Sequence, residues 1–551
     1  MRKPVITGLL LLLAAVAADA GPRVRAVNGA PACAMPPSPS PDTCDEGSGP
    51  FQSLFASEVD AIVRAAARSL NVNTLTIAVV DRAGRPLAIF RKAGVATNAA
   101  NDDLAVGVAR TAAFFSHNMA PLSSRTVRFI SGVHFPPGIT NTASAALYGI
   151  ENTNRGCDFN VTFNAGKCVP RARRVTGGPC EPGNTAGCGP GIVTGKIQPD
   201  DPDPASVNAG GVPLYRNGQL LGAIGVAGAP GDPQLAEFAA ATGAFGAPGI
   251  VPVPAYPLPE PGNVFVDGIR LPFLGPSIRL AFNNSGLPIG LQRLDGTSAG
   301  TDAGGVFALA AQNGGCAANG YLVGPLGGSI SAAAVDGIVQ RAITTAKRTR
   351  ALIRLPLNSY ARMVIAVADT NGTILALYRM PDATVFSIDV AVAKARNVIW
   401  FSGHDLPLPA NTAITNRTLN FGAQPFYPPG IDSGAFNPTS KQGPWYQSLF
   451  VSDLLKPCSQ GTQLTNPNQN GIVFFAGSSP LYNGTALTGG LGVSGDGIEQ
   501  DDYVTYFGAG PFLPPASIRA DRVNVDGARL PMFKFPRQPE GVTECGGDPC
   551  S

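Results

Sequence analysis

Histidine is almost missing from this chain: 551 residues contain 3, with 2 tryptophans and 6 methionines. Three unclustered imidazoles give a hydrolytic triad little support, and the sequence has no G-x-S-x-G, no metal-protease motif and no Walker loop. Charge is scarce as well, with Asp, Glu, Lys and Arg at 14%. Loss of residues 1–20, which carry Arg2, Lys3 and Asp19, takes 40 basic and 37 acidic side chains to 38 and 36. A nucleic-acid partner would call for a concentrated basic face, so none is expected. Beyond residue 20 no run is long and apolar enough to cross a bilayer, and no membrane span is expected in the mature chain. Residues 1–20 themselves read as a signal peptide: Arg2-Lys3, an apolar run from Val5 to Ala18, and Ala18-Asp19-Ala20 as a small-x-small cleavage site. The expectation is a secreted or periplasmic protein cut after Ala20, with an uncleaved anchor as the rival reading.

Glycine and proline are abundant, at 67 and 51 residues, which points to long loops. The 10 cysteines all follow the cleavage site: Cys33, Cys44, Cys157, Cys168, Cys180, Cys188, Cys316, Cys458, Cys545 and Cys550. An even number in an exported chain predicts disulfides that staple loops and tails. Neighbour pairing is the simplest connectivity: 33 with 44, 157 with 168, 180 with 188, 545 with 550, and 316 with 458. Each closed loop would contribute roughly 2 to 3 kcal/mol. A zinc site competes poorly, because there is no Cys-x-x-Cys pair and no histidine near a cysteine.

The chain contains one pattern twice. IAVVDRAGRPLAIFR from Ile77 and IAVADTNGTILALYR from Ile365 agree at eight of fifteen positions, and both read as hairpins turning through Ala83-Gly84 or Asn371-Gly372. A helix follows each, marked in the second copy by Ile388, Val392, Ala395, Val398 and Ile399. RTVRFISGVHFPPGI from Arg125 then matches RTLNFGAQPFYPPGI from Arg417, each ending in a rigid Pro-Pro-Gly turn. Second hairpins turn at Asn217-Gly218 and Asn483-Gly484, and VFVDGIRLPF from Val264 pairs with VNVDGARLPM from Val523. Helices at Ser57 and Ser331 open the two copies. Each unit therefore reads helix, hairpin, helix, irregular insertion, hairpin, short closing strand. The chain divides into the signal peptide (1–20), a Pro- and Cys-rich arm (21–50), unit one (51–275) with a Cys-rich insertion (140–210), a linker (276–330), unit two (331–537) and a Cys-containing tail (538–551).

The order IAVAD-x-x-G, S-I-D-V-A-x-x-K-A and G-x-x-x-G-x-GVSG followed by Gln500-Asp501 resembles the GlcG/HbpS-like family of haem-degrading or haem-binding proteins. Unit two is the nearer match, through Asp369, Gly372, Ser387, Asp389, Lys394, Ala395, Gly492, Val493, Ser494 and Gly495. In unit one Val108 replaces the lysine, Ala227 replaces the serine, and Gln234 lacks the acidic neighbour, so this copy reads as degenerate. The resemblance implies an α+β fold of two tandem profilin-like domains, antiparallel sheets with packed helices and, here, long disulfide-stapled loops. Single-unit relatives oligomerise, so the two units are expected to form an intramolecular pseudo-dimer, with a homo-oligomer left open.

The implied cofactor is haem or a related tetrapyrrole, with iron as a further candidate. Haem binding needs an apolar slot, a cation near each propionate and an axial ligand. His404 and His117, at the ends of equivalent helices, are the axial candidates, while His134 reads as a surface residue. Arg417 and Arg125 can grip a carboxylate bidentately, or can equally form structural salt bridges. Gly492, Gly495, Gly225 and Gly228 leave part of a strand face bare for a ligand or for the chain's own helix. Asp389 and Asp103 are candidate metal ligands, with a solvent-facing helix acid as the plainer reading. Two other functions stay open: an enzyme or sensor module for a small carboxylate, and a structural or interaction protein that keeps only the fold. Whether the chain is an enzyme is not decided by its sequence.

Overall fold

The computed structural model describes residues 50–95, 100–139, 142–150, 207–254, 264–293, 296–309, 313–403, 406–430, 441–455, 460, 468 and 471–540. The first half runs α1 (Ala56–Arg68), β1 (Thr76–Asp81), β2 (Pro86–Arg91), α2 (Ala100–Phe115), α3 (Ser124–Phe129), β3 (Gly211–Arg216), β4 (Gln219–Ala227) and α4 (Pro233–Gly243). A short ribbon follows, β5 (Phe265–Val266) with β6 (Ile269–Arg270), then a hairpin, β7 (Ile278–Phe282) with β8 (Pro288–Arg293). Strands β9 (Val306–Leu309) and β10 (Gly320–Val323) lead into the second half. That half runs α5 (Ala332–Ala346), β11 (Val364–Asp369), β12 (Ile374–Arg379), α6 (Ser387–Phe401), α7 (Asn416–Gly422), α8 (Ser452–Leu455), β13 (Ser478–Asn483), β14 (Ala486–Ser494) and α9 (Ile498–Ala509). It closes with the ribbon β15 (Asn524–Val525) and β16 (Ala528–Arg529).

Two five-stranded sheets result, β3-β4-β1-β2-β9 and β13-β14-β11-β12-β10, with every pairing antiparallel. The registers match as well: Gly211 sits opposite Gly225 in the first sheet, and Ser478 opposite Gly492 in the second. Each sheet is covered on both faces. Ala78 and Val80 point into the core that holds α2, while Ile77 and Val79 point into the one built with α1 and α4. Coverage on both sides explains why β1 and β11 are continuous apolar runs rather than alternating ones.

Two expectations from sequence need correcting. Helices α4 and α9 follow the second hairpins where only a closing strand was expected, and with α1 and α5 they cover one face of each sheet. Asp232 caps α4 by accepting from the Gln234 N–H, with Pro233 at the first helical position, a start signal present in the sequence. The linker, 276–330, is not a free connection. It contains the β7–β8 hairpin, and β9 and β10 add the fifth strand to the first and second sheets respectively. Cys316, between β9 and β10, is disulfide-bonded. The other cysteines, and with them the proposed pairings, lie outside the described residues.

The halves meet through Phe115 and Phe386, whose rings stack at 4.0 Å, and through the Val385 N–H donating to the Phe114 carbonyl at 3.0 Å. Beside them Asp382 is almost wholly buried. It accepts from Arg82 of the first half at 2.7 Å, from Arg354 at 2.7 Å and from the Asn118 N–H at 3.0 Å. Burial pushes the Asp382 carboxyl up, but Arg354 and Arg82 outweigh it and hold the group below the usual carboxylate range. Among the described residues no helix is long and apolar enough to cross a membrane.

Candidate functional site

A cavity of about 420 Å³ opens in the first half between α2, α3, the end of β4 and α4. Leu104, Val226 and Ala236 give it apolar walls, and Arg125, Arg128 and Gly228 also line it. Helix α3 is placed by two hydroxyls. Ser123 caps it and donates to the Phe273 carbonyl at 2.5 Å, while Thr126 donates to the Pro272 carbonyl at 2.7 Å. The second half repeats this with Thr415 on the Met532 carbonyl and Thr418 on the Pro531 carbonyl, each at 2.7 Å. The repeated Arg-Thr and Arg-Leu-Pro motifs are thus two sides of one contact, which aims the preceding arginine at the last helix of its own half.

Arg125 grips Glu237 of α4 bidentately, both bonds at 2.7 Å, and the Gly275 N–H adds a third bond to that carboxylate at 3.1 Å. Arg417 meets Asp502 of α9 at 2.5 Å, and the Lys534 and Gly477 N–H groups donate to the same carboxylate. Burial pushes both carboxyls up, against their arginines. Of the two readings open for these arginines, each therefore makes a salt bridge, and Arg125 also borders the cavity. Glu237 takes the part of Asp502, which means that unit one has an acid here, one position beyond Ala236, where pairing Gln234 with Gln500 puts it. Arg128, not singled out from sequence, lies on the cavity wall and donates to the Asn208 side chain at 2.6 Å. Its placement one helical turn after Arg125 was the available signal.

All four candidate glycines lie against the chain's own backbone. A Cβ on Gly225 would run into the Ala105 carbonyl of α2, and one on Gly492 into the Ala391 carbonyl of α6. A Cβ on Gly495 would strike the Arg362 carbonyl. Gly228, at φ +82°, is close to the Thr74 carbonyl and still borders the cavity.

His117 is wholly buried and away from the cavity lining. Its Nδ1 accepts from the Met119 N–H at 3.2 Å, and its Nε2 has no hydrogen-bond partner. Burial first, and then Arg354, hold the imidazole well below its usual pKa, so it is neutral. His404 lies outside the described residues. His134 is half-buried rather than on the surface: its Nδ1 meets the Thr142 carbonyl at 2.8 Å and its ring stacks on Phe426 of the second half at 5.6 Å. Asp103 and Asp389, expected to face solvent, are buried at 1% and 0% exposure on α2 and α6. Among the described residues no three His, Cys, Asp or Glu side chains are grouped to hold a metal ion.

In the second half Lys394 of α6 is buried. Its ammonium donates to Asp501 and to the Val493 carbonyl, each at 2.8 Å, and lies 5.1 Å from the centre of the Phe475 ring. Burial lowers the lysine and pushes the Asp501 carboxyl up to about 7, and each partner opposes the other's shift.

Residues 336–509 match the family described as haem degrading protein HbpS-like. A corrinoid adenosyltransferase, PduO of Salmonella typhimurium, is 26% identical over 153 residues, 28% of this chain and 33% of that protein. The match thus spans about a third of that curated relative's length. Among solved structures, a PduOC:heme complex is 19% identical with a TM-score of 0.21, covering 33% of this chain and 94% of its own. HbpS of Streptomyces reticuli, solved as a double mutant, is 19% identical with a TM-score of 0.20, covering 32% of this chain and 82% of its own. Protein ORFY of Klebsiella pneumoniae is 21% identical with a TM-score of 0.22, over 33% and 90%. The family match thus lies in the second half, over residues 336–509.

Proposed function

We propose that this chain is an exported protein built of two HbpS-like copies, and that it binds a haem-type tetrapyrrole in the cavity of the first half. The observation that carries the reading is the pairing of apolar walls with two guanidiniums in a space of about 420 Å³, within the few hundred Å³ usual for small-molecule sites. Apolar walls suit the face of a macrocycle, and arginines suit its propionates. Among the described residues the lining has no His, Met, Tyr or Cys. The residues therefore fit the periphery of a tetrapyrrole and supply no ligand to its iron. When bound, haem would bring the iron, and the cavity would hold the ring by its edge. Arg128 is the propionate contact, because Arg125 is ion-paired with the Glu237 carboxylate whereas Arg128 donates to the neutral Asn208 amide. The same wall of arginine over apolar surface favours a smaller apolar carboxylate as the second reading.

Titration of the full mature chain with hemin, followed by absorbance, and with metal-free protoporphyrin IX, followed by fluorescence, tests this. Both should saturate with similar affinity. Arg128→Ala should weaken both about tenfold, the loss of one charge-assisted contact. A hemin spectrum unchanged by His117→Ala is also expected. No saturation with either compound would sink the tetrapyrrole reading. Binding of hemin alone, with its Soret shift lost in His117→Ala or His404→Ala, would replace edge binding with axial ligation.

A further inference from the structure

We propose that only one of the two halves holds a ligand, because the second half fills with its own side chains the space that the first half leaves open, and that Phe475 is the stopper. The inference rests on the tetrapyrrole reading for its probe and on the repeat for its argument. Three local contacts fix which residues correspond. Strands β3 and β13 begin at Gly211 and Ser478, opposite Gly225 and Gly492, so Asn208 and Phe475 each stand three residues before their strand. Gly225 abuts Ala105 and Ala109 of α2 as Gly492 abuts Ala391 and Ala395 of α6, which makes Val108 the counterpart of Lys394. Ala236 and Asp501 each precede the acid that meets the α3 or α7 arginine, Glu237 or Asp502.

The exchange is therefore Phe475, Lys394 and Asp501 in the second half for Asn208, Val108 and Ala236 in the first. In the second half the three form one packed group at 2%, 0% and 3% exposure, with the ammonium between the carboxylate, the Val493 carbonyl and the aromatic face. In the first half Asn208, Ala236 and Val226, the counterpart of Val493, line open space. Both members of the ion pair change together, so the cavity is not left with a lone buried charge. The smaller residues remove a ring, a lysine stem and a carboxylate from one place. The half that carries the family pattern is thus the closed one, and the degenerate half is open.

Isothermal titration of the full chain with hemin reads the number of sites directly. The wild type should bind one equivalent. Asn208→Phe, which puts the stopper into the first half, should lower affinity at least tenfold, and so should Ala236→Leu, which fills the cavity from α4 without touching Arg128. The triple variant Phe475→Asn, Lys394→Val, Asp501→Ala should bind a second equivalent. Two equivalents in the wild type, or wild-type affinity in both folded filling variants, would overturn the single-site inference and leave tetrapyrrole binding standing. No saturable binding by the wild type would overturn both. If the triple variant fails to fold, the two filling variants still decide.

Discussion

At the scale of single residues, Arg125 and Arg128 lie on one short helix and are predicted to separate in their effects. Glu237 is fully buried and takes both its ion-pair bonds from Arg125. Arg125→Ala should destabilise the chain by about 3 kcal/mol through the charge left behind, while Arg128→Ala, which removes a bond to the neutral Asn208 amide, should cost no more than about 1 kcal/mol of stability and act chiefly on ligand affinity. Thermal melts of the two variants without ligand check this, and equal losses would contradict the division. Asp501 gives a pH prediction. Its folded pKa, raised by burial to about 7, lies above the ordinary aspartate value. The protonated form contributes stability below that ordinary value, and the contribution is lost as pH rises from about 4 to about 7. The wild-type midpoint should therefore fall relative to that of Asp501→Asn across that window, and a relative rise would contradict it. Sequence made Arg125, Arg417 and Gly228 legible because each is repeated. It could not show the acids opposite the arginines, because the loop before α4 is two residues longer than the loop before α9 and displaces Glu237 from the aligned position.

At the scale of elements, the hairpins and central helices were legible because turn chemistry and apolar spacing agree in both copies. Helices α4 and α9 were not, because α4 is rich in alanine and α9 opens with Glu499, Asp501 and Asp502, so neither shows a plain apolar stripe. Strands β9 and β10 were hidden by a glycine-rich context whose pairing with β2 and β12 is tertiary. The contact of each central helix with its sheet depends on bare glycine. Gly225→Ala and Gly492→Ala should each destabilise the chain by roughly 1 to 3 kcal/mol or more, since the new methyl meets backbone that cannot rotate away. Denaturant melts measure this, and a neutral effect at both positions would mean that the helices stand farther from the strands.

At the scale of the molecule, the two halves are stitched by the shared segment that gives an edge strand to each sheet, and clamped by Asp382 between Arg82 and Arg354. The sequence argument for pairing relied on the oligomerisation of single-unit relatives. The contact instead runs through Phe115, Phe386 and the buried Arg82–Asp382 pair, which no periodicity reveals. Asp382→Ala leaves two buried guanidiniums without that carboxylate and should cost about 3 to 5 kcal/mol, with faster proteolysis between the halves. Cleavage no faster than in the wild type would show that the clamp does not hold them. The central claim, that the first half grips a tetrapyrrole by its edge, is tested most directly by a crystal structure of the full chain grown with hemin. The macrocycle should lie in the cavity between α2, α3 and α4, with a propionate on Arg128 and the second half still closed by Phe475. Density for the ring against His117, or in the second half in place of Phe475, would contradict it.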